Sequence, residues 1–220
     1  MMHLHHVPGT RSSRILWLLE ELSLDYELSA YQIGDGSLRT AEFLDRSPLG
    51  RVPALEINST VIFESSAITQ VLCEQYPDAG LAPSVGEADR AAYLQWLSYA
   101  ETQASIVEAL NLQMIFLRPP AKPSVAVLKL MVARLKATLG PLEALFGTQD
   151  WVLARGFSAA DTMLGFNLYA VKHFVDLQPF PKLRAYTERC RARPAYQRAV
   201  EKDGAQKMYS QDFYPLPTEV

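Results

Sequence analysis

The segment from Ser47 to Pro77, SPLGRVPALEINSTVIFESSAITQVLCEQYP, constrains the fold more than any other stretch of the chain. A Ser-Pro-Leu-Gly turn leads into Arg51-Val52-Pro53. The pattern predicts a short apolar strand over 54–57, a turn at Asn58-Ser59-Thr60 and a second strand over 61–63. An apolar-periodic helix then opens at Glu64-Ser65-Ser66 and stops at Pro77. Pro53, at the start of a strand, has no N–H for a ladder. The backbone N–H and C=O of Val52 are left to pair with something else. A hydroxyl pair caps a helix whose N-terminus attracts anions. An edge that accepts peptide backbone, beside a nest that accepts carboxylate, suits a small acidic peptide. Taken alone, the same residues also describe a β-hairpin and a capped helix in any α/β protein.

Upstream, the alternation of Met2–Val7 suits a strand, and Pro8-Gly9 breaks it. Ile15, Leu16, Leu18, Leu19 and Leu22 form a helical stripe over 12–22, and a further strand fits 28–32. Right-handed crossover makes these first two strands parallel. Residues 33–46 carry glycines and polar groups and read as a loop with one irregular turn. Beyond Ala79 the texture changes. DAGLAPSVGEADR is a link. Helices are then predicted over 87–117, over 125–146, from Phe157-Ser158-Ala159-Ala160-Asp161 onward, over 181–193 and over 194–202. Ser158 and Asp161 approximate a capping box, with Asp in place of the usual Glu or Gln, and Phe157 is placed to staple it. The organisation expected is an α/β unit over 1–78, a linker over 79–87 and an all-helical region over 88–220.

Bulk properties exclude more than they assign. A net charge of −3 gives no basic excess for nucleic acid. No apolar run approaches membrane-spanning length. The N-terminus lacks a basic segment followed by an apolar one, so a cytoplasmic protein is expected. Cys73 and Cys190 lie far apart in helical patterns and read as buried, reduced thiols. No Cys-x-x-Cys or Cys/His ligand spacing occurs, so no metal is expected. His3 and His5 share one face of the first strand, but two ligands with no third nearby make a poor site. They read as structural, with His6 nearest the cleft.

The segment quoted first resembles the glutathione-binding half of glutathione S-transferases. Strand–helix–strand followed by hairpin–helix is the thioredoxin-like order. Ser158-Ala159-Ala160-Asp161 resembles the family's buried helix-capping motif, and FPKLRAYTERCRARPAYQRAV its late helical pair. Arg14-Ile15-Leu16-Trp17-Leu18-Leu19-Glu20-Glu21-Leu22 is similar to a bacterial and fungal branch. The resemblance spans Leu4 to about Val200. It implies a thioredoxin-like α/β domain followed by an all-α domain, a cis bond before Pro53, glutathione as co-substrate and a homodimer. It also implies that the Val52 backbone pairs with the cysteinyl unit, that Glu64 and Ser65 hold the γ-glutamyl end, and that Arg51 meets a carboxylate. Arg39 is a weaker candidate for that last role.

Conjugation to a hydrophobic electrophile needs the glutathione thiolate, and a free thiol has a pKa of about 8.5. Lowering that by two units requires roughly 2.7 kcal/mol of preference for the anion. A hydroxyl donor near the sulfur supplies this order of stabilisation. Related serine-type members carry Pro-Gly-Ser with an Arg four residues after the Ser. Here Thr10 falls on that Ser and Arg14 keeps the spacing. Thr10 is the first choice of donor and Ser12 the second; by the residues alone, either is a helix N-cap. The second substrate would lie against the helical domain, with Tyr99, Gln103, Ile106, Phe116 and the tail aromatics Phe213 and Tyr214 as candidates. A glutathione-dependent disulfide reductase or peroxidase, and a non-catalytic binding protein of the same fold, are the alternatives.

Overall fold

The structure is a computed structural model that describes residues 2–217. The described residues divide into two compact units: residues 2–90 with 190–208, and residues 91–189 with 209–217.

The first unit is built on a four-stranded sheet of order β2-β1-β3-β4. Strand β1 (Met2–His6) pairs parallel with β2 (Tyr26–Ala30) and antiparallel with β3 (Ala54–Ile57), which pairs antiparallel with β4 (Thr60–Phe63). The parallel pair needs a crossover, supplied by α1 (Ser12–Glu21). Ile15, Leu16, Trp17, Leu18 and Leu19 are all buried because α1 is covered by more than one element: α3 (Ser65–Gln75) and α9 (Pro194–Asp203) both pack on it. In α3 the buried set Ile68, Thr69, Leu72 and Cys73 recurs at helical spacing. Strand β2 starts at Tyr26, two residues before the sequence pattern places it.

Residues 33–46 are more ordered than expected. A 3-10 turn, Ser37–Arg39, precedes a short helix α2 (Ala41–Arg46), capped by Thr40 Oγ1, which accepts the Phe43 N–H at 3.3 Å. Only Phe43 of α2 is buried, so six residues with one core side chain carry no readable period.

The second unit contains α4 (Arg90–Asn111, its first residue in the first unit), α5 (Val125–Ala137), α6 (Leu139–Leu145), α7 (Ala159–Val171) and most of α8 (Pro181–Arg191). A π-helical turn, Leu112–Phe116, continues α4. The single helix expected over 125–146 is broken at Thr138. Its hydroxyl donates to the Leu135 carbonyl at 2.6 Å, a local bond that competes with helix continuation. The capping box at α7 forms. The Asp161 carboxylate accepts the Ser158 N–H at 2.8 Å, the Val152 N–H at 3.1 Å and the Tyr186 hydroxyl at 3.0 Å. Burial pushes its pKa up to about 6, against the pull of these donors. Asn167 on α7 donates to the Ala100 carbonyl of α4 at 2.8 Å. Among the described residues no helix is long and apolar enough to cross a membrane.

Candidate functional site

Strand register gathers the candidate residues of the first unit. His5 pairs with Ala54, and Ala54 pairs with Phe63. The loop after β1, the Val52-Pro53 bond before β3 and the Glu64-Ser65 step after β4 therefore emerge at one end of the sheet. Val52-Pro53 is cis. Neither the N–H nor the C=O of Val52 is taken by a protein hydrogen bond among the described residues.

Glu64 has φ +77° and ψ +115°, backbone that non-glycine residues rarely adopt and that costs about 1–3 kcal/mol. It is the residue before α3, and its carbonyl accepts the Ile68 N–H at 3.0 Å. Ser65 is therefore the first helical residue and not the cap, and α3 has no side-chain cap at all. The N–H groups of its first turn face outward without a side-chain acceptor, the arrangement that draws an anion. The side chains of Glu64, exposed, and Ser65, buried, make no hydrogen bond to protein among the described residues. Arg51 is exposed and its N–H donates to Ser47 Oγ at 3.3 Å. Arg39 donates to the Leu49 carbonyl at 3.1 Å.

The loop after β1 separates the two hydroxyl candidates. Neither caps α1; Arg11 precedes the helix and makes no side-chain cap. Ser12 is fully buried and lies 2.8 Å from His6 Nδ1. His6 is also fully buried, and burial lowers its pKa against the opposing pull of Asp203. Its Nε2 faces only acceptors, the Asp203 carbonyl at 3.1 Å and carboxylate at 3.5 Å, which assigns the imidazole proton to Nε2. Nδ1 then accepts, so the Ser12 proton points at His6. Ser12 Oγ also accepts the Val7 N–H at 3.1 Å.

Thr10 is half-buried. Its Oγ1 lies 2.8 Å from the Val7 carbonyl and 3.0 Å from Ser12 Oγ, and it donates to either. Ser12 is thus fully buried and bonded to His6 and Val7, whereas Thr10 is only half-buried and its proton has two alternative acceptors within the loop.

Asp203, at the end of α9, completes this loop. Its carboxylate accepts the Gly9 N–H at 2.9 Å and the Ser13 hydroxyl. Gly9 (φ +70°) also has no room for a side chain, since a Cβ would lie 2.5 Å from Gln206 Cβ. No local sequence signal announces Asp203, which is 197 residues from His6. Arg14 is fully buried within α1.

In the second unit, Tyr99 donates to the Thr138 carbonyl at 2.8 Å and buried Gln103 to Thr138 Oγ1 at 2.9 Å. Both hold the break between α5 and α6. Ile106 and Tyr214 are buried, Phe116 is half-exposed in the π-helical turn and Phe213 is exposed.

The chain as a whole is similar to known proteins. The family model "Glutathione S-transferase, N-terminal domain" matches residues 1–72. A crystal structure of a glutathione transferase from Methylococcus capsulatus is 30% identical, with a TM-score of 0.80, covering 92% of this chain and 98% of that one. The chain belongs to the glutathione S-transferase family. The disulfide-bond oxidoreductase YfcG of Escherichia coli is 29% identical over 212 residues, 92% of this chain and 95% of that protein. A sphingomonad glutathione S-transferase complexed with glutathione is 25% identical, with a TM-score of 0.76, over 91% of this chain and 98% of that one.

Proposed function

We propose that this protein binds glutathione in its first unit and uses the bound thiolate to attack a hydrophobic electrophile. The observation that carries the reading is the cis Val52-Pro53 bond with the Val52 backbone left unpaired, at the same end of the sheet as uncapped α3 and the Thr10 loop.

Val52 offers one donor and one acceptor to the cysteinyl amide. Ser65 and the first-turn N–H groups of α3 receive the γ-glutamyl carboxylate, while Glu64 takes the γ-glutamyl ammonium. Arg51 meets the glycine carboxylate. Thr10 turns its proton from Val7 and Ser12 to the sulfur, and Ser12 keeps the loop in shape through His6. The thiolate then forms the carbon–sulfur bond as the leaving group departs with its electron pair. The protein supplies binding, proximity and stabilisation of the anion. Of the second-substrate candidates, Tyr99 and Gln103 are engaged with Thr138 and Phe116 is a half-exposed aromatic offered for contact with the electrophile. The chain works in the cytoplasm as a homodimer.

A second reading rests on the similarity to a disulfide-bond oxidoreductase: the same thiolate attacks the sulfur of a disulfide, and a second glutathione releases it. Conjugation of chloronitrobenzene, assayed beside reduction of a glutathione-mixed disulfide and of a hydroperoxide, separates the two. Conjugation dominating supports the first reading; reduction alone supports the second. No turnover and no retention on immobilised glutathione refute both.

A further inference from the structure

The face of the sheet that carries α2 holds a cluster independent of the glutathione reading. His3 and His5 project from the same face of β1, and Glu56 on β3 stands directly opposite His3 in the antiparallel register. One ligand atom from each of the three lies within 4.8 Å of the other two. His5 Nε2 is 2.7 Å and His3 Nδ1 3.8 Å from Glu56 Oε1. The third ligand missing from the sequence pattern is thus brought in by strand pairing.

The other nitrogen of each ring is already fixed by a hydroxyl. His3 Nε2 is 2.8 Å from Ser29 Oγ, and His5 Nδ1 is 2.8 Å from the Tyr31 hydroxyl, both supplied by β2 and the residue after it. Imidazoles that ligate a metal are typically held this way through the nitrogen facing away from it. Two imidazoles and one carboxylate match zinc and its first-row neighbours rather than magnesium or calcium. His5 is buried, while His3 and Glu56 are about a quarter exposed at the side chain, so an ion has an approach from solvent. All three ligands sit on paired strands, which hold a site more firmly than loops do.

A guanidinium shares the carboxylate. Arg46 on α2 donates from Nε to Glu56 Oε1 at 2.6 Å and from Nη1 to the Glu42 carbonyl at 2.7 Å. Its side chain is partly exposed.

We propose that His3, His5 and Glu56 bind a late first-row divalent ion of the zinc class, and that Arg46 competes with the ion for Glu56. On binding, the ion replaces the Nε2 proton of His5, which keeps its neutral form by carrying the proton on Nδ1 toward Tyr31.

The test uses the full chain without a purification tag, stripped with a chelator and titrated with Co2+. Zn2+ binding is measured in parallel by calorimetry. One ion per chain is expected, with the visible ligand-field bands of a four- or five-coordinate nitrogen–oxygen site. His3→Gln and Glu56→Gln, checked for folding by circular dichroism, should each weaken binding more than ~10-fold. Arg46→Ala should tighten it, which a purely structural Arg46–Glu56 pair would not do. The proposal is overturned if neither wild type nor Arg46→Ala gives the cobalt bands. It is equally overturned if the ion binds as tightly after His3→Gln and Glu56→Gln. Glutathione binding and turnover are separate readouts, so their loss leaves this result standing.

Discussion

At the scale of single residues, hydrogen-bond direction decides more than residue type. Thr10, Ser12 and Ser13 are neighbouring hydroxyls, but Ser13 is held by Asp203 and Ser12 by His6. The sequence offered Thr10 and Ser12 as a pair because the partners that distinguish them, His6 and Asp203, meet only in the folded chain. The motif singles out Glu64 and Ser65 as candidates to hold the γ-glutamyl end, but the positive φ of Glu64 is not legible in it. A prediction belongs to Ser65. If its hydroxyl holds a glutathione carboxylate, Ser65→Ala removes a charged-group hydrogen bond worth about 1.5–3 kcal/mol and lowers affinity about tenfold or more. Calorimetry showing unchanged affinity in a folded variant would remove Ser65 from the site.

At the scale of elements, the least expected feature is the return of α9 to the first unit. Arg193 makes a two-point bond to Glu21 at 2.6 and 2.7 Å, and Tyr196 packs edge-on against Trp17 with centroids 4.9 Å apart. Glu20 accepts from Arg198 at 2.8 Å, Tyr26 at 2.5 Å and Lys202. The sequence reads α9 as a helix, but its period shows only that one face is apolar, not which element that face meets. Burial pushes the Glu20 pKa up, but the hydrogen bonds from Lys202, Tyr26 and Arg198 together hold it below the usual value. A depressed carboxylate contributes stability that is present above its unfolded pKa and lost as pH falls through its folded pKa. Wild type should therefore lose stability below the ordinary carboxylate range more steeply than Glu20→Gln, which is weaker at neutral pH. Parallel pH dependences of the two in urea unfolding would contradict this account of α9.

At the scale of the whole molecule, the order of elements in the first unit, the parallel crossover and the cis Val52-Pro53 bond follow what the sequence and its family resemblance imply. Short-range patterns carry them: period two in strands, apolar stripes in helices, Pro and Gly at the breaks. What escaped is non-local or too short to have a period: α2, the break at Thr138, and Glu56 beside two histidines 51 and 53 residues away. The proposed homodimer belongs to this scale. The family resemblance implies it, and exposed Leu94, Leu112 and Leu130 on the helical unit are apolar surface available to a second copy. Sedimentation at micromolar concentration should show a species of twice 24.6 kDa; a species of 24.6 kDa alone would refute it.

The most direct test of the account is the ultraviolet thiolate absorbance of bound glutathione, followed against pH in wild type, Thr10→Val and Ser12→Ala. Wild type should show a bound thiol well below its free pKa of about 8.5. Thr10→Val should move it back toward that value and slow turnover near neutral pH roughly 30- to 150-fold, the kinetic equivalent of 2–3 kcal/mol. Ser12→Ala should chiefly lower stability, by leaving the Val7 N–H and His6 Nδ1 without their partner. A bound thiol that titrates at its free value in wild type, or that is unmoved by Thr10→Val, would contradict the central claim.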